Sequence, residues 1–163
     1  MPEAFDKAFE LLMEYEGGYS NDLADRGGET RFGISKRAYP DEDIANLTLE
    51  RAKEIYLRDY WNPLRLGEVS DAAMAGEIFE QAVNFGLRAA ARNTQEALNY
   101  LGQNVGIDGE FGPQTLAAIN GFKDARLLFK VVNGLQFCRY LNIVKVNPGQ
   151  KRFARGWLRR VAI

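Results

Sequence analysis

Residues 5–19 read FDKAFELLMEYEGGY, and this stretch sets the start of the fold. Counting back from Glu16, apolar side chains recur at spacings of four, three and four residues, at Leu12, Phe9 and Phe5. These spacings follow one face of an α-helix. Two glycines come directly after Glu16 and favour the end of a helix. The pattern therefore predicts a helix over residues 3–16 whose buried face ends in a carboxylate.

Glu16 is a candidate general acid because of this position. A carboxylate that continues a buried helix face is partly removed from water, and desolvation raises the pKa of a carboxyl group towards neutrality. A general acid needs such a pKa to hold a proton near pH 7. The alternative is an ordinary, solvated glutamate at a helix end.

The composition leaves carboxylates as the main candidates for chemistry. The chain has 163 residues, no histidine and one cysteine, Cys138. Ser-His and Cys-His nucleophilic catalysis and the common zinc sites are thereby excluded, as is an internal disulfide. The loop after Glu16 also lacks the spacing of an EF-hand calcium site. We expect no metal site and no cofactor.

The loop after the first helix contains a second carboxylate and a hydroxyl group. Asp25 follows Glu16 after eight intervening residues, and Thr30 lies five positions further on. Inverting hydrolysis of a glycoside needs one acid to protonate the leaving oxygen and another group to hold a water on the opposite face of the sugar. Glu16 fits the first role, and Asp25 with Thr30 fits the second. The alternative for Asp25, and for Asp22 beside it, is to stabilise turns, and the alternative for Thr30 is to hold the loop in place.

Charge is divided unevenly along the chain. Residues 1–124 carry 12 basic and 22 acidic side chains, whereas residues 125–163 carry nine basic side chains and no acidic one. Either the basic segment binds an anionic polymer, or it packs against the acidic part within one fold. We favour packing, because apolar residues between 127 and 138, including Cys138, predict a buried stripe. No nucleic-acid-binding motif accompanies the charge, and no nucleic-acid partner is predicted.

The fold class is predicted to be mostly α. Further helices are expected at about 48–60, 70–86, 89–101, 113–119 and 124–146, with Thr48 and either Ser70 or Asp71 as N-caps. A loop over residues 17–35 is expected to contain a short β-hairpin. No flexible linker interrupts the chain, so two segments, 1–90 and 91–163, are expected to pack as one compact unit.

The stretch from residue 16 to residue 35, EGGYSNDLADRGGETRFGIS, closely resembles the signature of glycoside hydrolase family 108. This family contains lysozyme-like N-acetylmuramidases found as phage endolysins and as bacterial muramidases. Residues 82–86 resemble the Asn-x-Gly element of its cleft. Residues 95–119 and 155–160 resemble the predicted peptidoglycan-binding segment that usually follows. The resemblance implies a lysozyme-like catalytic segment over residues 1–90 and a peptidoglycan-binding helical segment over residues 91–163.

The family resemblance implies a peptidoglycan hydrolase that cleaves between N-acetylmuramic acid and N-acetylglucosamine, for cell lysis or protein release. Glu16 is then the general acid, and Asp25 and Thr30 hold the attacking water. The resemblance implies a cleft contact for Asn84, and substrate binding is also expected for Asp22 and for Tyr19 and Trp61, whose rings could stack on sugars. Packing inside the protein is the alternative for Tyr19 and Trp61, and a turn is the alternative for Asn84.

Two other functions are compatible with the same sequence. A lytic transglycosylase also uses one acidic residue, but it leaves an anhydro sugar instead of adding water. A non-catalytic protein that binds the cell wall or assists secretion would keep the fold without the chemistry.

The sequence also leads to an expectation about location. The first residues show no signal peptide, and no segment is long and apolar enough for stable membrane insertion. The protein is therefore expected to be made in the cytoplasm and to act in the periplasm or cell wall. A holin or an export pore is the expected partner for that passage, and peptidoglycan glycan strands are the expected substrate.

Overall fold

The helices begin and end close to where the sequence pattern places them. A computed structural model describes residues 2–15, 18–20 and 28–161. Its α-helices are α1 (Pro2–Tyr15), α2 (Leu49–Tyr56), α3 (Ala72–Phe85), α4 (Leu87–Tyr100), α5 (Pro113–Gly121), α6 (Ala125–Val146) and α7 (Ala154–Leu158). A π-helical turn (Leu57–Trp61) continues α2, and 3-10 turns occupy Leu66–Glu68 and Pro148–Phe153. The predicted mostly α-helical fold is confirmed.

A short β-hairpin follows the first helix, as predicted. Strand β1 (Thr30–Arg31) pairs antiparallel with β2 (Ile34–Ser35), with Thr30 opposite Ser35. The two residues between the strands, Phe32 and Gly33, both have positive φ, at 52° and 76°. Two left-handed residues in succession produce the tight turn that matches the twist of paired strands.

The core contains the buried faces of α1, α2 and α3, joined by buried residues of α4, α5 and α6. The predicted stripe of α1 is confirmed, since Phe5, Phe9 and Leu12 are all buried. Phe5 contacts the ring of Phe79 in α3, with centroids 5.8 Å apart. Phe9 contacts Tyr56 of α2 at 5.9 Å. The helix that leads towards Glu16 is therefore held in place by both of its neighbours.

The predicted N-caps of α2 and α3 are also present. The hydroxyl of Thr48 accepts a hydrogen bond from the backbone N–H of Arg51 at 3.1 Å. The carboxylate of Asp71 accepts one from the N–H of Met74 at 2.8 Å. Each cap satisfies an N–H group that has no partner within its own helix.

We expect Asp71→Ala to lower the free energy of unfolding by about 1 kcal/mol, because it removes the side-chain acceptor that caps α3. Urea unfolding followed by circular dichroism measures this change. Asp71→Ser is the matched control, since serine keeps an acceptor at the cap and should retain most of the stability. Equal losses in the two variants would contradict the capping role.

The predicted stripe of α6 is confirmed in part, because Leu128 and Val132 are buried and Val131 and Leu135 pack against the core. Tyr140 is buried as well, together with the amide side chains of Asn133 and Gln136. Cys138 is exposed, so its predicted place in the core is wrong. The apolar pattern missed the polar part of the buried face, where polar residues of α6 face polar residues of α3.

The last part of the basic segment of residues 125–163, which follows α6, packs against α3 and α6 mainly through aromatic rings. Trp157 of α7 stacks on Tyr140, with ring centroids 5.3 Å apart and an interplanar angle of 12°. Tyr140 in turn contacts Phe85 at 5.1 Å. Among the nine basic side chains of the segment, only Arg160 forms an ion pair with a carboxylate of the described residues, Glu80. The segment therefore packs on the rest of the fold, but ion pairs contribute little to this packing.

Across residues 2–15, 18–20 and 28–161, no helix combines the length and the apolarity that crossing a lipid bilayer requires.

Candidate active site

The predicted general acid and most of the loop after it lie outside the described residues. This holds for Glu16, Asp22 and Asp25, whose roles stay predictions. The structure describes α1 up to Tyr15, the residue before Glu16. The described part of the site consists of the β-hairpin with Tyr19, the end of α3, and the C-terminal segment around Arg160.

Thr30 is held firmly within the hairpin. Its backbone exchanges two hydrogen bonds with Ser20, each 2.8 Å long, which draws the segment after α1 onto β1. Its hydroxyl donates to the carbonyl oxygen of Gly28 at 3.1 Å. The hairpin itself is attached to α2, because the hydroxyl of Tyr56 donates to the carbonyl oxygen of Phe32 at 2.9 Å. A hydroxyl oxygen in this position keeps lone pairs with which to accept a hydrogen bond from water.

Tyr19 presents its ring to solvent beside the hairpin. Its side chain is 51% exposed, and its hydroxyl donates to the carboxylate of Glu29 at 2.8 Å. An exposed aromatic ring fixed at its tip can stack against the apolar face of a sugar. Of the two roles considered for Tyr19, the exposure favours substrate contact over packing.

Trp61 occupies a different environment. It is only 3% exposed, and its ring contacts Phe5 at 5.3 Å and Phe79 at 5.6 Å, both edge-on. A ring packed in this way has no free face for a sugar. The structure therefore places Trp61 in the aromatic core, which corrects its expected role in stacking on the substrate.

Asn84, near the end of α3, is surrounded by polar groups. Its amide nitrogen donates to the carboxylate of Glu80 at 2.5 Å. Its amide oxygen accepts a hydrogen bond from Arg160 at 3.0 Å. These contacts join the end of α3 to the C-terminal segment. Asn84 thus has a structural role in the described residues, and its contact with substrate stays a prediction.

The sequence interpretation missed the carboxylates that lie beside Asn84. Glu80 also accepts a hydrogen bond from Gln136 of α6 at 2.6 Å, and its oxygen lies 3.7 Å from the Arg160 guanidinium. Burial raises the pKa of Glu80 to about 7, the nearby Glu77 carboxylate adds to the rise, and Arg160 opposes it. Burial raises the pKa of Glu77 as well. Two carboxyl groups with raised pKa values therefore face α6 from α3.

The helical spacing places this cluster on one face of α3, but it does not show that the face is buried. Glu77, Glu80, Gln81 and Asn84 follow one another at intervals of three, one and three residues, which is a polar face of α3. Hydropathy alone assigns such a face to solvent. The polar residues of α6 that cover it are at helical spacing too, but the sequence does not show that the two faces meet.

The cluster lies next to the last turns of α1. An apolar cavity of about 340 Å³ lies along the contact between α1 and α3, and its lining includes Leu11, Leu12, Glu80 and Arg160. The two helices pack closely beside it, since a Cβ added at Gly76 would lie 3.6 Å from Cβ of Ala8. The end of α1, the end of α3 and Arg160 are thus on one side of the molecule.

Comparison with known proteins agrees with this architecture. Residues 9–86 match the family model described as Glycosyl hydrolase 108, and residues 89–162 match the model described as Predicted Peptidoglycan domain. Among solved structures, the chain is similar to the one described as "Structure of Brucella abortus SagA", with a TM-score of 0.79 and 25% identity. The similarity covers 99% of this chain and 91% of that chain. No curated protein matches the sequence.

The two family models meet between residues 86 and 89, close to the expected division of the chain at residue 90. The hairpin and the end of α3 fall within the first model, and Arg160 falls within the second. The described part of the site therefore combines residues from both segments. On these grounds residues 9–86 are a glycosyl hydrolase 108 segment, residues 89–162 are a predicted peptidoglycan domain, and the two together make the chain a peptidoglycan hydrolase.

Proposed function

We propose that this hydrolase cleaves the glycosidic bond between N-acetylmuramic acid and N-acetylglucosamine, with Glu16 as the general acid. The observation that carries the proposal is the buried stripe of α1, which runs through Phe9 and Leu12. In the sequence Glu16 follows Leu12 at the four-residue spacing of that stripe. A carboxyl group that continues a buried face has the raised pKa that a proton donor needs.

The second half of the proposed reaction is the attack of water. Asp25 and Thr30 hold the water and direct it to the anomeric carbon, while the leaving oxygen takes the proton of Glu16. The bond between that carbon and the leaving oxygen breaks, and the water becomes the new hydroxyl group as it gives one proton to the Asp25 carboxylate. The firm attachment of Thr30 to Ser20 and Gly28 supports this role, because a positioned acceptor lowers the cost of orienting the water.

Product analysis tests the proposed bond and reaction together. Purified protein is incubated with sacculi, the soluble fragments are reduced with borohydride, and mass spectrometry identifies the reduced sugar. We expect reduced N-acetylmuramic acid at the fragment ends. Reduced N-acetylglucosamine would contradict the assignment of the bond.

The same experiment separates the two alternative functions. A lytic transglycosylase gives anhydro-muramic ends, which are one water lighter and resist borohydride. A non-catalytic wall-binding protein sediments with sacculi but releases no fragments. Either result would overturn the proposed hydrolysis.

The proposal includes the place of action. The protein acts in the periplasm or cell wall after passage through a holin or an export pore, for cell lysis or protein release. Fractionation of cells with and without a co-expressed pore tests this step. Retention of the protein in the cytoplasm in both strains would contradict it.

A further inference from the structure

An open groove lies at the junction of α3 and α4, on residues to which the proposed reaction assigns no role. Its volume is about 560 Å³. Three arginines line it, Arg88 and Arg92 from α4 and Arg139 from α6, together with Phe85 and Glu96. We call it the arginine groove. Its lining contains more cationic side chains than that of the cavity beside α1, which has Lys7 and Arg160.

The three guanidinium groups are held by uncharged partners. Arg88 donates to the carbonyl oxygen of Asp108 at 3.2 Å, and Arg92 donates to that of Ile107 at 3.3 Å. Arg139 lies over the ring of Phe85, with its guanidinium carbon 4.7 Å from the centroid. Within the described chain, none of the three forms an ion pair with a carboxylate. Their positions are restrained while their charges stay available to an anion.

The loop that orients Arg88 and Arg92 is itself fixed. Gln95, buried in α4, donates to the carboxylate of Asp108 at 2.8 Å and accepts from the N–H of Gly109 at 3.0 Å. Gly109 has a φ of +77°, and a Cβ there would lie 2.5 Å from Cγ of Arg88. Glycine thus lets the loop lie directly against the arginine stems. The loop contact therefore holds the arginine side chains in place, and they do not simply extend into solvent.

The acidic groups near the groove neutralise it only in part. The Asp108 carboxylate accepts hydrogen bonds from the N–H of Glu110 and from Gln95, at 2.8 Å each. These hydrogen bonds and the charge of Arg88 lower the pKa of Asp108, so its negative charge acts on this arginine. Glu96 is the one acidic side chain among the described lining residues. Three cations, with Glu96 and the nearby Asp108 as anions, leave a net positive groove.

We infer that the arginine groove binds the carboxylate groups of the peptide stems of peptidoglycan, an inference that rests on the proposed substrate. In peptidoglycan the N-acetylated sugars are uncharged, and the lactyl group of muramic acid is joined to the stem by an amide bond. The free carboxylates belong to the stems, and guanidinium groups pair with carboxylates through two parallel hydrogen bonds. Phe85 lines the groove and directly follows Asn84, whose contact with substrate is a prediction. The groove therefore lies next to a predicted substrate-binding position.

Titration with a soluble stem tripeptide tests the inference, with binding followed by the amide chemical shifts of the full-length protein. The charge-loss variant combines Arg88→Gln, Arg92→Gln and Arg139→Gln. The matched control combines Lys130→Gln, Lys145→Gln and Arg155→Gln, which removes the same charge from exposed positions outside the groove. We expect the dissociation constant to rise about tenfold or more in the charge-loss variant and less than about twofold in the control.

Two further measurements identify the ligand group. A tripeptide whose carboxylates are converted to amides should bind as weakly to the wild type as the free tripeptide binds to the charge-loss variant. Glu96→Gln should tighten binding of the free tripeptide, because it removes the negative charge of the groove. Equal affinity of the charge-loss and control variants would overturn the inference. Binding of inorganic phosphate with the same dependence on the arginines, but no binding of tripeptide, would also overturn it.

Failure of this inference is distinguishable from failure of the proposed function. The tripeptide contains no glycosidic bond, so its binding does not depend on hydrolysis. A wild type that releases no fragments from sacculi but binds the tripeptide through the arginines would contradict the proposed function alone. A wild type that releases muramic ends but binds the tripeptide independently of the arginines would contradict this inference alone.

Discussion

A Glu16→Gln variant is expected to release soluble fragments from sacculi about 10²–10⁴-fold more slowly than the wild type, since this is the usual contribution of a general acid. Glutamine has nearly the shape of glutamic acid but no proton to give to the leaving oxygen. The loss should therefore lie in the catalytic rate, while binding to sacculi is retained. Fragment release measured by turbidity, and sedimentation with intact sacculi, report these two quantities separately.

Glu14→Gln is the matched control for this experiment. Glu14 lies two positions before Glu16 on the exposed side of α1, so the same chemical change there should leave the rate unchanged. Thermal melting shows whether both variants are folded as the wild type is. If folded Glu16→Gln protein cleared sacculi at the wild-type rate, Glu16 would not be the general acid.

The sequence predicted those parts of the fold that depend on local patterns. The stripe of α1 at Phe5, Phe9 and Leu12 repeats within a single helix, and its burial follows directly from its spacing. The caps at Thr48 and Asp71 likewise act on backbone groups only three residues away. Such features need no knowledge of the rest of the chain.

Features that join distant segments could not be predicted in the same way. Gln136 donates to Glu80 across 56 positions of sequence, and Arg160 donates to Asn84 across 76. Polar residues on a helix are normally exposed. A hydropathy pattern therefore does not distinguish an exposed polar face from one that is buried against another polar face. For Trp61 the sequence was compatible with both an exposed and a buried position. Its contacts with Phe5 and Phe79 show that it lies in the core.

The free energy of unfolding is expected to fall as the pH rises from about 4.5 to about 7, because of Glu80. Burial raises the pKa of this carboxyl group from its ordinary value of 4.5 to about 7. Between these values the folded protein holds the proton more tightly than the unfolded chain does, so the stabilisation present at low pH is lost on titration. A shift of this size corresponds to about 3 kcal/mol at most.

The composition makes this effect unusually easy to assign. The chain has no histidine, the side chain that ordinarily titrates between pH 5 and pH 8. Urea unfolding at a series of pH values gives the profile for the wild type and for Glu80→Gln, which cannot ionise. The fall in the free energy of unfolding should be smaller in the variant, with a residual slope from Glu77, whose pKa is raised by burial too, and from Glu16, for which a raised pKa is proposed. Glu14→Gln, an exposed substitution of the same kind, should reproduce the wild-type profile.

Arg160→Gln should change the profile in the opposite sense. The Arg160 guanidinium opposes the rise in the pKa of Glu80, so its removal moves the fall in stability to higher pH and enlarges it. A variant that merely loses packing is destabilised by a similar amount at every pH. Opposite changes in slope for Glu80→Gln and Arg160→Gln therefore separate the electrostatic explanation from a packing defect. A wild-type profile that stays flat between pH 4.5 and pH 7 would contradict it, because a buried carboxyl group cannot ionise without lowering the stability of the fold.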